Sequence, residues 1–232
     1  MNIKNVYRFF GKDYHRRQLL KNTSSSVMRE YLDKPFPGKK SLISELDIVS
    51  LDIETTGLDP NKDKIVSIGL VNIERLGINL ESCWHEIIKV KKSLNEDSVV
   101  IHKITDDQTA VGMALDNVIP KLLERLQGKI LLAHNAKVEM GFINKACQNL
   151  YNTEFVIPVI DTQLLSIRSL DRTNQVYKSN ELRLFNLRRT YNLPTYKAHN
   201  ALMDAIATAE LFLVMANKIS PGKTAKLSEF LS

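Results

Sequence analysis

Residues 47–60 read DIVSLDIETTGLDP, and the order of residue types in this stretch decides the fold. Positions 47–54 are rich in β-branched and apolar residues and end on a Thr-Thr-Gly turn, the pattern of a β-strand. Residues two apart on a strand project from the same face, so the carboxylates of Asp52 and Glu54 point one way. They stand at the C-terminal end of that strand, where open α/β sheets bind ligands. Two adjacent carboxylates repel unless a cation neutralises them, and all-oxygen donors select a hard ion such as Mg²⁺ or Mn²⁺. Alone, Asp-x-Glu also fits an ordinary exposed strand end.

Working outward, residues 64–73 (KIVSIGLVNI) read as a second strand and 78–90 as a third. Positions 98–103 and 114–126 read as helices, 130–133 as a short apolar strand, and 138–150 as a helix. A strand over 155–160 is followed by helices over 162–170, 181–191 and 201–218, with a polar loop at 171–179. Three adjacent strands followed by alternating helices and strands predict an α/β fold, a mixed sheet with helices packed on it.

The 232 residues, 44% hydrophobic and 25% charged, suit one sizeable domain with appendages and exclude collagen-like, coiled-coil and wholly disordered chains. The run Leu211–Ala216 is six apolar residues, against the ~20 a membrane span needs. No secretory pattern opens the chain. Cys83 and Cys147 have no metal-type spacing and read as reduced thiols of a cytoplasmic protein. The net charge of +6 is uneven: residues 1–40 hold ten Lys/Arg against Asp13, Glu30 and Asp33. That excess suits either an arm for a polyanion such as nucleic acid or a solvated helix docked on the main domain. The organisation expected is a basic N-terminal helical arm at 1–42, a catalytic domain at 43–220 and a C-terminal tail at 221–232.

Two further clusters stand at element ends. In residues 198–205 (AHNALMDA), Asp204 falls in the first turn of the long helix, with His199 just before it. Imidazole is the side chain that titrates near neutral pH and suits a general base; a capping cluster is the alternative. In residues 134–139 (HNAKVE), His134 and Asn135 follow a strand and suit a helix cap. Glu139 lies about one turn in, where an acid favours the helix dipole.

Together these residues resemble the DEDDh 3′–5′ exonucleases, the superfamily of the proofreading epsilon subunit of bacterial DNA polymerase III. The resemblance rests on LDIETTGLDP, IHKITDD, LLAHNAKVEMGFI, VIDTQLL and AHNALMDAIATAELF, and covers about residues 46–217. It implies an RNase H-like α/β core, a mixed five-stranded sheet flanked by helices, with the N-terminal helical arm added. It implies that Asp52, Glu54, Glu139 and Asp204 bind two Mg²⁺ or Mn²⁺ ions, with His199 as general base. Glu139 and Val138 depart from the family, which usually has Asp and Phe there. His199, in place of Tyr, puts the chain on the DEDDh side.

Substrate contacts implied or suggested are Thr55, Leu58, His102, Ile104, His134 and Asn135. Leu58 would wedge against terminal bases, or is an ordinary turn residue; Ile104 touches the terminal nucleotide, or packs in the core. Asp161 reads as the N-cap of the helix after it. The run Arg168, Arg172, Lys178, Arg183, Arg188, Arg189 and Lys197 reads as a phosphate track or a solvated face. The expected partner is nucleic acid, DNA ahead of RNA, with a DNA polymerase or another repair protein beside it and no membrane. An exoribonuclease is the alternative, and a non-catalytic nucleic-acid-binding module a third reading, against which the intact acids argue.

Overall fold

The computed structural model describes residues 11–90, 109–196, 199–221 and 224–232. The helix expected over 98–103 lies outside them. The centre is a five-stranded sheet of β1 (Ile48–Thr55), β2 (Ile65–Glu74), β3 (Gly77–Ile87), β4 (Ile130–Ala133) and β5 (Val159–Asp161), in the order β3-β2-β1-β4-β5. The first three strands are antiparallel, and β4 and β5 run parallel to β1. β2 turns into β3 through Arg75 and Leu76 alone, both at positive φ, as a two-residue hairpin with matching twist requires. The parallel strands need crossovers, and β4 reaches β5 through a helix. Around the sheet lie α1 (Lys12–Asn22), α2 (Ser26–Asp33), α3 (Leu115–Leu126), α4 (Lys137–Tyr151), α5 (Thr162–Arg172), α6 (Leu184–Thr190) and α7 (Ala201–Ile219). This is the mixed, helix-flanked sheet expected from the motifs.

Alternation along β1 divides the molecule into two layers. Val49, Leu51 and Ile53 pack with residues of α2, α3 and α4. Ile48 packs on the other face with α5, α6 and α7, and on that face the Ser50 hydroxyl donates to the Ala205 carbonyl of α7 at 2.7 Å. Asp52 and Glu54 share the parity of Ser50, so the strand carries both carboxylates to the α7 side.

Described residues of the expected arm and tail pack in these layers. Met28, Tyr31 and Leu32 of α2 are fully buried in the first layer. The Tyr31 hydroxyl donates to the Val156 carbonyl at 2.8 Å, and its ring stacks on Phe155. Buried Arg16 donates to the Leu32 carbonyl and pairs with Asp13. At the other end, Leu227 N–H donates to the Ser41 carbonyl, Ile43 N–H to the Ala225 carbonyl, and Phe230 is buried edge-on to Phe212. Burying one such side chain is worth about 1.5–3 kcal/mol, which holds these residues against the core.

β5 is shorter than expected. The Phe155 N–H donates to the Asn144 side chain, and the Val156 carbonyl is taken by Tyr31, so residues 155–157 are buried without a strand partner. Pro158 supplies only a carbonyl, to Leu131 N–H. Both cysteines are free thiols; Cys147 is buried, which pushes its thiol up to about 12, and Cys83 is half-buried. No described helix is long and apolar enough to cross a membrane.

Candidate active site

The placing of α7 on the sheet makes the site. Gly69 of β2 pairs with Asp52 of β1, and a Cβ there would fall inside the backbone of Ala201 and Leu202. The missing side chain lets the first turn of α7 rest directly on the strand. Asn200 caps that turn by accepting from the Met203 N–H at 3.1 Å. Asp204 is buried, and its Oδ2 accepts the His199 N–H at 3.0 Å. His199 takes a φ of 69°, a left-handed conformation unusual for a side chain of its size, and is exposed. One ligand atom from each of Glu54, His199 and Asp204 lies within 4.8 Å of the other two.

The remaining carboxylates come from the strand and from the opposite layer. Desolvation, with the charges of Glu139, Asp204 and Glu54 nearby, pushes the Asp52 carboxyl well above the usual carboxylate range. Glu139 is buried in the first turn of α4, whose apolar side packs in the other layer. Burial raises it to about 8; its own backbone N–H opposes the rise, and the charges of Asp161 and Glu54 add to it. Its Oε2 is buried and accepts no hydrogen bond. Carboxylates forced together out of water, with one oxygen orphaned and an imidazole alongside, form a donor set that fits hard divalent cations. Ser67 Oγ, paired in register with Glu54, and His85 Nε2, on β3 opposite Gly69, are also buried without hydrogen bonds. Burial lowers the His85 pKa, against the charges of Glu86 and Glu54.

The expected substrate contacts are dispersed. A register shift falls between Glu54 and Thr55, and the Thr55 hydroxyl donates to the Gly57 carbonyl at 2.7 Å. Asp63 pins the turn that follows, accepting from Asp59 N–H and Thr56 Oγ1, and the turn holds Leu58 80% exposed. Asn135 is exposed at a φ of 63°. His134 has neither ring nitrogen to spare. Its Nε2 bonds the Leu182 carbonyl at 2.9 Å, which can only accept, so Nε2 carries the proton and Nδ1 accepts from the Thr162 hydroxyl at 2.8 Å. Neither His134 nor Asn135 caps α4 through its side chain. His102 and Ile104 lie outside the described residues, as does Lys197.

Asp161 caps α5, as its position predicts, accepting from the Gln163 and Leu164 N–H groups. The basic run is not one track. Arg188 is 1% exposed, donating to the Ala207 and Pro194 carbonyls and pairing with Glu210 at 2.7 Å, and Arg168 donates to the Phe230 carbonyl. Sequence reasoning missed Gly69, Ser67 and His85. Of these Gly69 had a signal, a lone glycine inside an apolar strand, which marks a close approach of another backbone.

The model of the family described as Exonuclease (RNase_T) matches residues 49–212. The chain belongs to that family. The matched span includes Asp52, Glu54, Glu139, His199 and Asp204. The chain is 30% identical over 194 residues to the PolC-type DNA polymerase III of Thermotoga maritima, covering 82% of this chain and 13% of that protein. It is 28% identical to the DNA polymerase III subunit epsilon of Treponema pallidum, covering 72% of this chain and 74% of that one. The chain thus spans a small part of the PolC-type polymerases it matches. The nuclease domain of 3′hExo, a DEDDh family member solved with rAMP, superposes at a TM-score of 0.66 and 15% identity, covering 83% of this chain and 98% of that one. Exonuclease X, solved with a 5′-overhanging duplex DNA, gives 0.58 and 22%, covering 79% and 99%. At these identities the two structures establish the fold.

Proposed function

We propose that this exonuclease shortens DNA from single-stranded or frayed 3′ ends, releasing nucleoside 5′-monophosphates. The observation that carries the reading is the convergence of Glu54, His199 and Asp204 within 4.8 Å, beside the desolvated Asp52 and Glu139. Relatives named as DNA polymerase III components and a neighbour solved with DNA support DNA as the substrate. They also support a polymerase as partner.

Asp52, Glu54, Asp204 and Glu139 would hold two Mg²⁺ or Mn²⁺ ions. Such ions lower the pKa of a water and take up charge on the phosphate oxygens. His199, exposed at the mouth of the cluster, accepts the proton of the attacking water and passes it to solvent. Leu58 presents an apolar surface to the terminal base. The Thr55 backbone and the Asn135 side chain hold the terminal nucleotide, with His102 and Ile104 as further contacts.

A timed digest of 3′- and 5′-labelled single-stranded, duplex and mismatched DNA and RNA, with and without Mg²⁺ or Mn²⁺, tests this. The expected result is stepwise loss from DNA 3′ ends, with 5′-monophosphate products, no turnover in chelator and none in Asp204→Ala. Faster hydrolysis of matched RNA would make RNA the substrate, and release from 5′ ends would overturn the reading.

A further inference from the structure

The start of α4 has no side-chain cap of its own. The N–H groups of the two residues that lead into it are instead held from another element. Asp161 Oδ2 accepts from the Ala136 N–H at 2.9 Å, and Oδ1 from the Asn135 N–H at 3.1 Å. The same Oδ1 accepts from Gln163 N–H at 2.9 Å and Leu164 N–H at 3.3 Å at the start of α5. One buried carboxylate therefore collects four backbone donors from two helix starts. The two helices pack on opposite faces of the sheet: Phe142 and Ile143 of α4 belong to one layer, and Leu165 of α5 to the other. Asp161 is the last residue of β5 and pairs with Ala133, the last of β4. It thus joins the layers at the edge where the candidate site lies. The positive ends of both helices favour its charge.

We propose that Asp161 is a positioning residue for Glu139, fixing the first turn of α4 so that the Glu139 carboxylate meets those of Asp52, Glu54 and Asp204. Glu139 is the third residue of α4 and lies in its first turn, so its side chain is carried with the helix start. The inference rests on the reading of Glu139 as a metal-holding carboxylate.

The test compares Asp161→Ser, Asp161→Asn, Glu139→Gln and the Asp161→Ser/Glu139→Gln double variant in the full chain. The readouts are Mn²⁺ affinity by electron paramagnetic resonance titration, thermal melting and turnover. Serine still caps α5 but is too short to reach α4. Asparagine can keep its oxygen toward α5 while turning an amide N–H₂ against the Ala136 N–H, so it remains informative if the serine variant does not fold. Both single Asp161 variants should bind Mn²⁺ about 10–100-fold more weakly, the usual loss when an outer partner of a metal ligand is removed. In the Glu139→Gln background, Asp161→Ser should add little, because both changes remove one interaction. Mn²⁺ affinity within about twofold of wild type in both Asp161 variants, or losses that multiply in the double variant, would overturn the positioning role. If Glu139→Gln alone leaves Mn²⁺ affinity and turnover unchanged, the reading of Glu139 itself fails, and the positioning role loses its object.

Discussion

Gly69 lies opposite Asp52 on the β1–β2 ladder, and the first turn of α7 occupies the space a side chain at Gly69 would fill. This contact sets how far Asp204 stands from the strand carboxylates. The atoms a Cβ would meet are backbone, so Gly69→Ala must push α7 away rather than deflect a side chain. Overpacking of this kind costs about 1–3 kcal/mol, whereas misplacing a reacting group by about 1 Å can cost ~10² in rate. Gly69→Ala should therefore remain folded and lose far more turnover than stability, as denaturant melts and initial rates would read. A folded variant with wild-type turnover would refute the role of that contact.

Proton binding makes the metal-free protein sensitive to pH. Burial holds Glu139 at about 8 and raises Asp52 well above its ordinary range. Between the usual carboxylate pKa of ~4 and about 8, the folded chain keeps protons that the unfolded chain has released. Stability is therefore highest at the acidic end of this window and falls as pH rises through it. Melts in chelator should show a lower transition temperature at about pH 8 than at about pH 5, with a shallower slope in Glu139→Gln. Added Mn²⁺ should stabilise most at the alkaline end, since it displaces those protons. A metal-free wild-type melting temperature that climbs across the window would contradict the assignment of buried, protonated carboxylates.

What the sequence reveals here follows the range of the interactions. The strands at 48–55, 65–74 and 130–133 are written in local alternation and apolar runs. Asp52, Glu54, His199 and Asp204 stand out because strand ends and helix starts are local features. The misreadings are all long-range. Residues 155–157 look like strand, yet Asn144 and Tyr31 take their backbone groups. Arg188 looks like one more surface cation, yet its partners lie on α7 and at Pro194. Asp161 is legible as the cap of α5, but its hold on α4 depends on β4 and β5 lying side by side. The arm's charge is visible in sequence, whereas the burial of Met28, Tyr31 and Leu32 depends on a layer assembled from residues as distant in sequence as Phe155, Val156 and Ile157.

His199 combines an exposed ring with a left-handed backbone. Asparagine tolerates that backbone better than most residues, so His199→Asn removes the proposed base with little disturbance of the Asp204 contact made by the His199 N–H. Turnover should fall by roughly 10²–10⁴, the range for a general acid–base group, with KM nearly unchanged. Because the site is open at this point, added imidazole should restore part of the rate. A variant that keeps its rate would give the role of base to another group.

Glu139 offers the most specific test of how α4 and the site are matched. Its helix start is held by Asp161, and its carboxylate reaches the cluster from that fixed backbone. Glu139→Asp restores the residue usual in the family but shortens the reach by one methylene. Turnover should fall partially and recover in part as Mn²⁺ is raised. Mn²⁺ should rescue better than Mg²⁺, which demands near-ideal octahedral geometry. Glu139→Gln should lose more, since it keeps the length and removes the charge. The two variants separate reach from charge: if Gln outperforms Asp in Mn²⁺, length governs the position. If Gln turns over like wild type at limiting metal, Glu139 serves the helix rather than the ions. The site would then hold Asp52, Glu54, Asp204 and His199, one carboxylate fewer than the family pattern.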